Sequence, residues 1–173
     1  MTTRAYMLSH LAMLSAKASR EEFLAKYPNP WLVWEPGAWK APAIERGLDM
    51  TFIPMSSPGM LPKGDVLCFE LASPAKPAPL RLGRAPENEI VINDATVSRE
   101  HLHFLAEPPG QWKLHASASS KFTRCDEKPL LAGEAVALAR GMKIKAGGAL
   151  FTFTDSSGML ERIAAQPASA PRK

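Results

Sequence analysis

The chain is 173 residues long, 46% hydrophobic, and carries a formal net charge of +4. That length suits one domain with an appendage, and the hydrophobic content is ordinary for a globular core, which excludes a wholly disordered chain. The positive surplus is spread thinly, with one charge in residues 1–60, one in 61–160 and two in 161–173, so there is no basic stripe and no nucleic-acid partner is expected.

The first predicted elements are helical. Met7, Leu11 and Leu14 recur at helical spacing, and Ser19-Arg20-Glu21-Glu22 has the form of a capping box ahead of Phe23, Leu24 and Tyr27. Two short helices are expected within residues 3–27, the second stopped by Pro28 and Pro30. The stretch MLSHLAML is too short and too interrupted to span a bilayer, and no secretory signal pattern precedes it. No membrane partner is expected, and the location expected by default is cytoplasmic.

From Pro28 to Gly64 the pattern breaks. Trp31, Trp34 and Trp39, three of the four tryptophans, stand among prolines and a glycine. Such a stretch suits an extended arm with one short strand at Trp31 to Trp34, packed on another surface for the area its aromatics bury; a tryptophan-lined peptide groove is the alternative.

From Asp65 the period becomes that of strands. DVLCFEL, PLRLGR, EIVI, EHLHFLA, QWKLHAS and ALFTF are short runs rich in β-branched or aromatic residues, divided by Pro, Gly, Asn and Asp. In QWKLHAS, Trp112, Leu114 and Ala116 alternate with Lys113 and His115. Many short strands at this spacing argue for a sandwich or barrel. Cys68 and Cys125 lack CxxC spacing and read as buried or semi-buried free thiols, with neither a disulfide framework nor a zinc site. The Ala/Pro-rich tail AAQPASAPRK reads as disordered.

The segment LRLGRAPENEIVINDATVSREHLHFL leaves three alternatives open: a catalytic Ser/His pair, a phosphate clamp, or two turns of an all-β domain. A hydrolase using Ser98 and His101 would need an orienting carboxylate and usually an elbow such as GxSxG, which is absent. Arg84, Ser98 and Arg99 suit an anion better, because a guanidinium takes phosphate bidentately and a hydroxyl adds a donor without bulk. A single strand-end arginine is otherwise most often a solvated charge, here with Glu87 or Glu89 as weak ion-pair partners.

At Gly83-Arg84, Asn88, Ile90-Val91-Ile92-Asn93-Asp94 and Val97-Ser98-Arg99-Glu100-His101 the sequence resembles the forkhead-associated (FHA) domain, over roughly residues 65–155. The resemblance implies a mainly β fold, an FHA-like sandwich of two sheets, here with a short helical, Trp/Pro-rich N-terminal extension. It implies a non-enzymatic module that recognises phosphothreonine, with Arg84 and Ser98 on the phosphate, Arg99 beside them, and Gly83, Asn88 and His101 as structural support. Downstream, Ser119 and Thr123 fit the family's pattern, whereas Lys121 and Phe122 stand where that pattern has Asn and Gly. Lys121 and Thr123 complete the expected phosphopeptide-binding set.

The expected organisation is an extension at 1–60, a sandwich at 61–160 and a disordered tail at 161–173. The partner class implied is a threonine-phosphorylated protein or peptide, with a Ser/Thr kinase as a further candidate, and no metal or organic cofactor. The alternative is a phospho-independent assembly subunit that uses the sandwich as a constitutive interface.

Overall fold

The computed structural model describes residues 3–37, 61, 64–72, 78–108 and 110–166. In chain order these form strand β1 (Ala5–Met7), helices α1 (Leu8–Ser15) and α2 (Arg20–Lys26), and strands β2 (Trp31–Trp34), β3 (Leu67–Glu70), β4 (Leu80–Gly83) and β5 (Ile90–Val91). There follow β6 (Leu102–Glu107), β7 (Gln111–Ala116), β8 (Thr123–Cys125), β9 (Lys128–Pro129), β10 (Ala135–Ala137), β11 (Lys143–Ala146), β12 (Ala149–Thr154) and helix α3 (Ser156–Ala164).

Two sheets make the sandwich. One runs β1-β3-β2-β12-β11-β8-β9 and the other β10-β7-β6-β4-β5, antiparallel throughout except for the parallel β4–β5 pair. QWKLHAS lies in β7 with Trp112, Leu114 and Ala116 buried and Lys113 and His115 only partly so, as its alternation predicts. Both cysteines are free and buried; desolvation pushes the Cys68 thiol up to about 12 and Cys125 to about 11.

The tryptophan-rich region departs from the expected arm. Strand β2 lies inside the larger sheet, bonded to β3 on one side and β12 on the other, with all four of its residues buried. Leu32 and Trp34 face the sandwich core beside Phe69 and Phe151, whereas Trp31 and Val33 face a second cluster formed by the helices. A strand covered on both faces needs apolar residues at every position, which is why WLVW does not alternate. Trp39 lies outside the described residues.

The helices form a layer on the outer face of that sheet. Tyr6, Tyr27 and Trp31 meet with ring centroids 5.7–6.0 Å apart, and Leu11, Phe23 and Met159 fill the space around them. The capping box of α2 forms as read: Ser19 Oγ accepts from the Glu22 amide and the Glu22 carboxylate accepts from the Ser19 amide. In α1 the buried face differs from the one expected. Met7 belongs to β1 and is exposed, and Leu8 and Leu11 are the residues that bury.

Helix α3 replaces the start of the expected tail. Asp155 caps it by accepting from the Gly158 amide, and Ser156 Oγ donates to the carbonyls of Tyr27 and Asn29. Met159 and Ile163 then bury against the helical layer, so residues 161–164 are helical and anchored by Ile163. Residues 167–173 lie outside the described residues.

Arg162 of α3 meets Glu35, just beyond β2, through two bonds of 2.7 Å. Burial alone would raise the Glu35 carboxyl, but hydrogen bonds from Arg162 and Thr152 and the charges of Arg162 and Lys143 hold it below the ordinary value. The N-terminal segment, the last strand and the last helix are thereby joined across one sheet.

Candidate functional site

The parallel β4–β5 pair places the segments that follow these strands side by side. Beyond Gly83, the Arg84 amide donates to the Ser98 carbonyl at 3.0 Å and the Ala85 amide to the Arg99 carbonyl at 3.1 Å. Asn88, buried, donates from Nδ2 to the carbonyls of Ala85 and Arg99 at 2.7 and 2.6 Å. Gly83 is required by this close approach. A Cβ there would stand 2.8 Å from the Arg99 carbonyl carbon and 2.9 Å from Asn88 Nδ2.

His101 fastens the same loop from below. Its ring is fully buried, and Nδ1 accepts the Ser98 amide proton at 3.0 Å. The ring proton therefore sits on Nε2, which donates to Thr123 Oγ1 at 2.9 Å. Burial holds the imidazole pKa down to about 4, so the ring is neutral at pH 7. Thr123 itself is buried in β8, and its hydroxyl oxygen accepts from His101. Thr123, expected among the phosphopeptide-binding residues, is placed by this contact beneath the loop, beside His101.

The loop after β7 joins from the other side. Ser98 Oγ donates to the Ser119 carbonyl at 3.1 Å, while Ser117 and Ser119 both donate to the Glu100 carbonyl. Asp94 accepts from the amide and hydroxyl of Thr96, and Thr96 Oγ1 accepts from the Gly148 amide at 2.7 Å. The Gly147 amide donates to the Phe122 carbonyl. Thr96 and Gly147 were not singled out in the sequence; the short Asp-x-Thr turn is the one local signal that marks the former.

Arg84, Ser98, Arg99 and Lys121 thus lie on loops tied together by hydrogen bonds at one end of the sandwich. Arg84, Arg99 and Lys121 are exposed, and none has a side-chain hydrogen bond or ion pair among the described residues. The nearby carboxylates are turned elsewhere: Glu89 pairs with Arg81 at 3.0 Å and Glu100 with His103 at 2.9 Å. The hydrogen bond from Arg81 holds Glu89 down to about 2. The weak pairing of Arg84 with Glu87 or Glu89, considered from the sequence, is not formed.

The arrangement bears on the catalytic alternative. Both ring nitrogens of His101 are engaged, one by the Ser98 amide and one by Thr123, and Ser98 Oγ points its proton at a carbonyl. No nucleophile–base contact joins the two residues. What remains among the described residues is three cations without a carboxylate partner and a hydroxyl on a braced rim, a chemistry suited to an anion with several acceptor oxygens.

The sequence pattern described as the FHA domain matches residues 80–147. None of the curated proteins matches the chain. Among solved structures the chain is similar to Mycobacterium tuberculosis EmbR in complex with a low-affinity phosphopeptide, at 28% identity and a TM-score of 0.40, covering 48% of this chain and 21% of that one. It is similar to the FHA domain of an Arabidopsis thaliana hypothetical protein at 24% identity and a TM-score of 0.48, covering 82% of this chain and 90% of that one. The FHA domain of a Chlamydia trachomatis protein is similar at 17% identity and a TM-score of 0.47, over 73% of this chain and 98% of that one. The chain therefore spans about one fifth of the EmbR chain.

Proposed function

The chain carries an FHA domain at residues 80–147, and from that premise we propose that it is a non-catalytic module that binds threonine-phosphorylated proteins. The observation that carries this reading is the set of exposed cations, Arg84, Arg99 and Lys121, unpaired among the described residues, around Ser98 on loops held by buried Asn88 and His101.

A phosphate monoester brings nearly two negative charges and three acceptor oxygens. The Arg84 guanidinium takes two of those oxygens as a fork, and Ser98 Oγ supplies a third donor once it releases the Ser119 carbonyl. That exchange favours the ligand, because a neutral hydrogen bond contributes about 1 kcal/mol and one to a charged group roughly 1.5–3. Arg99 and Lys121 add positive potential that draws the anion in. The loops are already in place, so little ordering opposes binding.

The partner in this reading is a protein phosphorylated by a Ser/Thr kinase, and the module acts as an adaptor downstream of that kinase in the cytoplasm. The two free, separated cysteines accord with a reducing compartment. Titrating the protein with one peptide in unphosphorylated, phosphoserine and phosphothreonine forms tests the proposal. Binding should require the phosphate and be strongest for phosphothreonine, and Arg84→Ala should weaken it by at least about tenfold. Equal binding of all three peptides, unchanged by Arg84→Ala, would instead favour the assembly-subunit alternative.

A further inference from the structure

We propose that Phe122 is a specificity-determining residue of this site, an exposed aromatic shelf that receives a large apolar side chain flanking the phosphothreonine of the ligand. The inference rests on the phosphothreonine reading and adds to it the class of peptide preferred.

Phe122 is 83% exposed and has a φ of 57°, in the left-handed region. Each property is unfavourable for a phenylalanine: the ring forgoes burial, and a side chain with a Cβ crowds its own carbonyl there. Two neighbours share the backbone conformation for a plain reason. Asp126 and Glu127, at φ 44° and 66°, are the central pair of the tight β8–β9 turn, which needs positive φ at both positions. Phe122 precedes β8 and lies outside that turn.

Its conformation is imposed from both sides. The Phe122 carbonyl accepts from the Gly147 amide at 3.2 Å, and the next residue, Thr123, is held by His101. Three residues earlier, the Ser119 carbonyl accepts the Ser98 hydroxyl. The ring is therefore projected into solvent from a rigid corner of the loop that touches Ser98, with no ring contact of its own among the described residues. Lys121, exposed and unpaired among the described residues, stands beside it.

An occupant of this rim has to satisfy both chemistries. The cations require an anion, and the shelf rewards an apolar group close to it; a phosphothreonine peptide with a nearby leucine, isoleucine, methionine or aromatic residue supplies the two together.

The test uses the full chain and synthetic phosphothreonine peptides in which the positions flanking the phosphothreonine are changed one at a time to Leu, Phe, Gly or Asp. The wild-type protein should bind the best apolar-flanked peptide about tenfold more tightly than its Gly-flanked counterpart. Phe122→Gly should bring that ratio close to one, and Phe122→Leu should keep most of the preference. Phe122→Gly should also raise Tm by roughly 2–4 °C as the strain is relieved, so loss of folding does not confound the result. A phosphate-dependent wild type whose apolar preference is absent, or survives in Phe122→Gly, overturns the shelf alone. Absence of any phosphate dependence overturns the shelf together with the function it rests on.

Discussion

The imidazole Nδ1 of His101 accepts the Ser98 amide proton at 3.0 Å, so the loop that carries Ser98 and Arg99 is held by an unprotonated ring nitrogen. Protonation would replace that acceptor with a donor facing another donor, and the contact would be lost.

The first expectation concerns pH. The pKa of His101 is about 4 in the native state against an ordinary 6.5. Above 6.5 both states hold a neutral ring. Between 6.5 and 4 the unfolded chain binds a proton that the native state refuses, so stability falls as pH falls, by up to about 1.4 kcal/mol per pH unit and on the order of 3 kcal/mol in all. Urea denaturation from pH 7.5 to 4.5 should show this decline begin near 6.5. Glu89 and Glu35, whose pKa values lie below the ordinary 4.5, contribute losses only at lower pH. A His101→Asn variant should be less stable at pH 7.5 but nearly flat across the window. A wild-type curve that is flat down to pH 5 would contradict the buried neutral ring.

Gly83→Ala should act on the same loop without touching a charged group. The added methyl would overlap the Arg99 carbonyl, whose oxygen and carbon cannot retreat without breaking the bonds from Ala85 and Asn88. Overpacking of this kind costs about 1–3 kcal/mol. Denaturant titration measures the loss, and phosphopeptide affinity should fall in the same variant because Ser98 and Arg99 shift with the carbonyl.

Removal of residues 1–60 takes away β2, the strand that lies between β3 and β12. The truncated chain should lack a cooperative thermal transition and should associate through the unpaired edges of β3 and β12 and the uncovered Cys68, Met159 and Ile163 of the outer face. A milder probe of the same relationship is Trp31→Ala, which empties a fully buried site and should cost roughly 3–5 kcal/mol. A soluble fragment 61–173 that melts like the full chain would show that β2 is dispensable.

Arg162→Ala leaves Glu35, 11% exposed, without its bidentate partner. Fully buried pairs broken on one side lose about 3–5 kcal/mol; with Arg162 itself 30% exposed, roughly 2–3 kcal/mol is expected. Adding Glu35→Gln should restore much of the loss, since the stranded charge is then gone. The double-mutant cycle in urea reports the coupling directly.

Much of this was legible locally. The capping box at Ser19, the alternation in QWKLHAS, the free cysteines and the ordered Gly83-Arg84 and Ser98-Arg99 pairs are properties of neighbouring residues, and short-range geometry suffices to read them. What the tertiary structure decided depended on covering and closure between distant segments. WLVW is apolar at every position because helices cover one face and the second sheet the other, a fact that no local period expresses. Thr123 reads as a ligand-facing hydroxyl until His101, twenty-two residues earlier, takes it as an acceptor. Glu161 and Arg162 read as the start of a loose tail until Glu35 and the buried Met159 fix α3 against the sheet. Phe122 stands out in the sequence only as a residue where the family pattern has Gly; its left-handed backbone and exposed ring follow from the contacts of Gly147 and His101 around it. In each case the sequence determined which groups were available, and long-range packing determined which of them were consumed in holding the fold and which were left facing solvent.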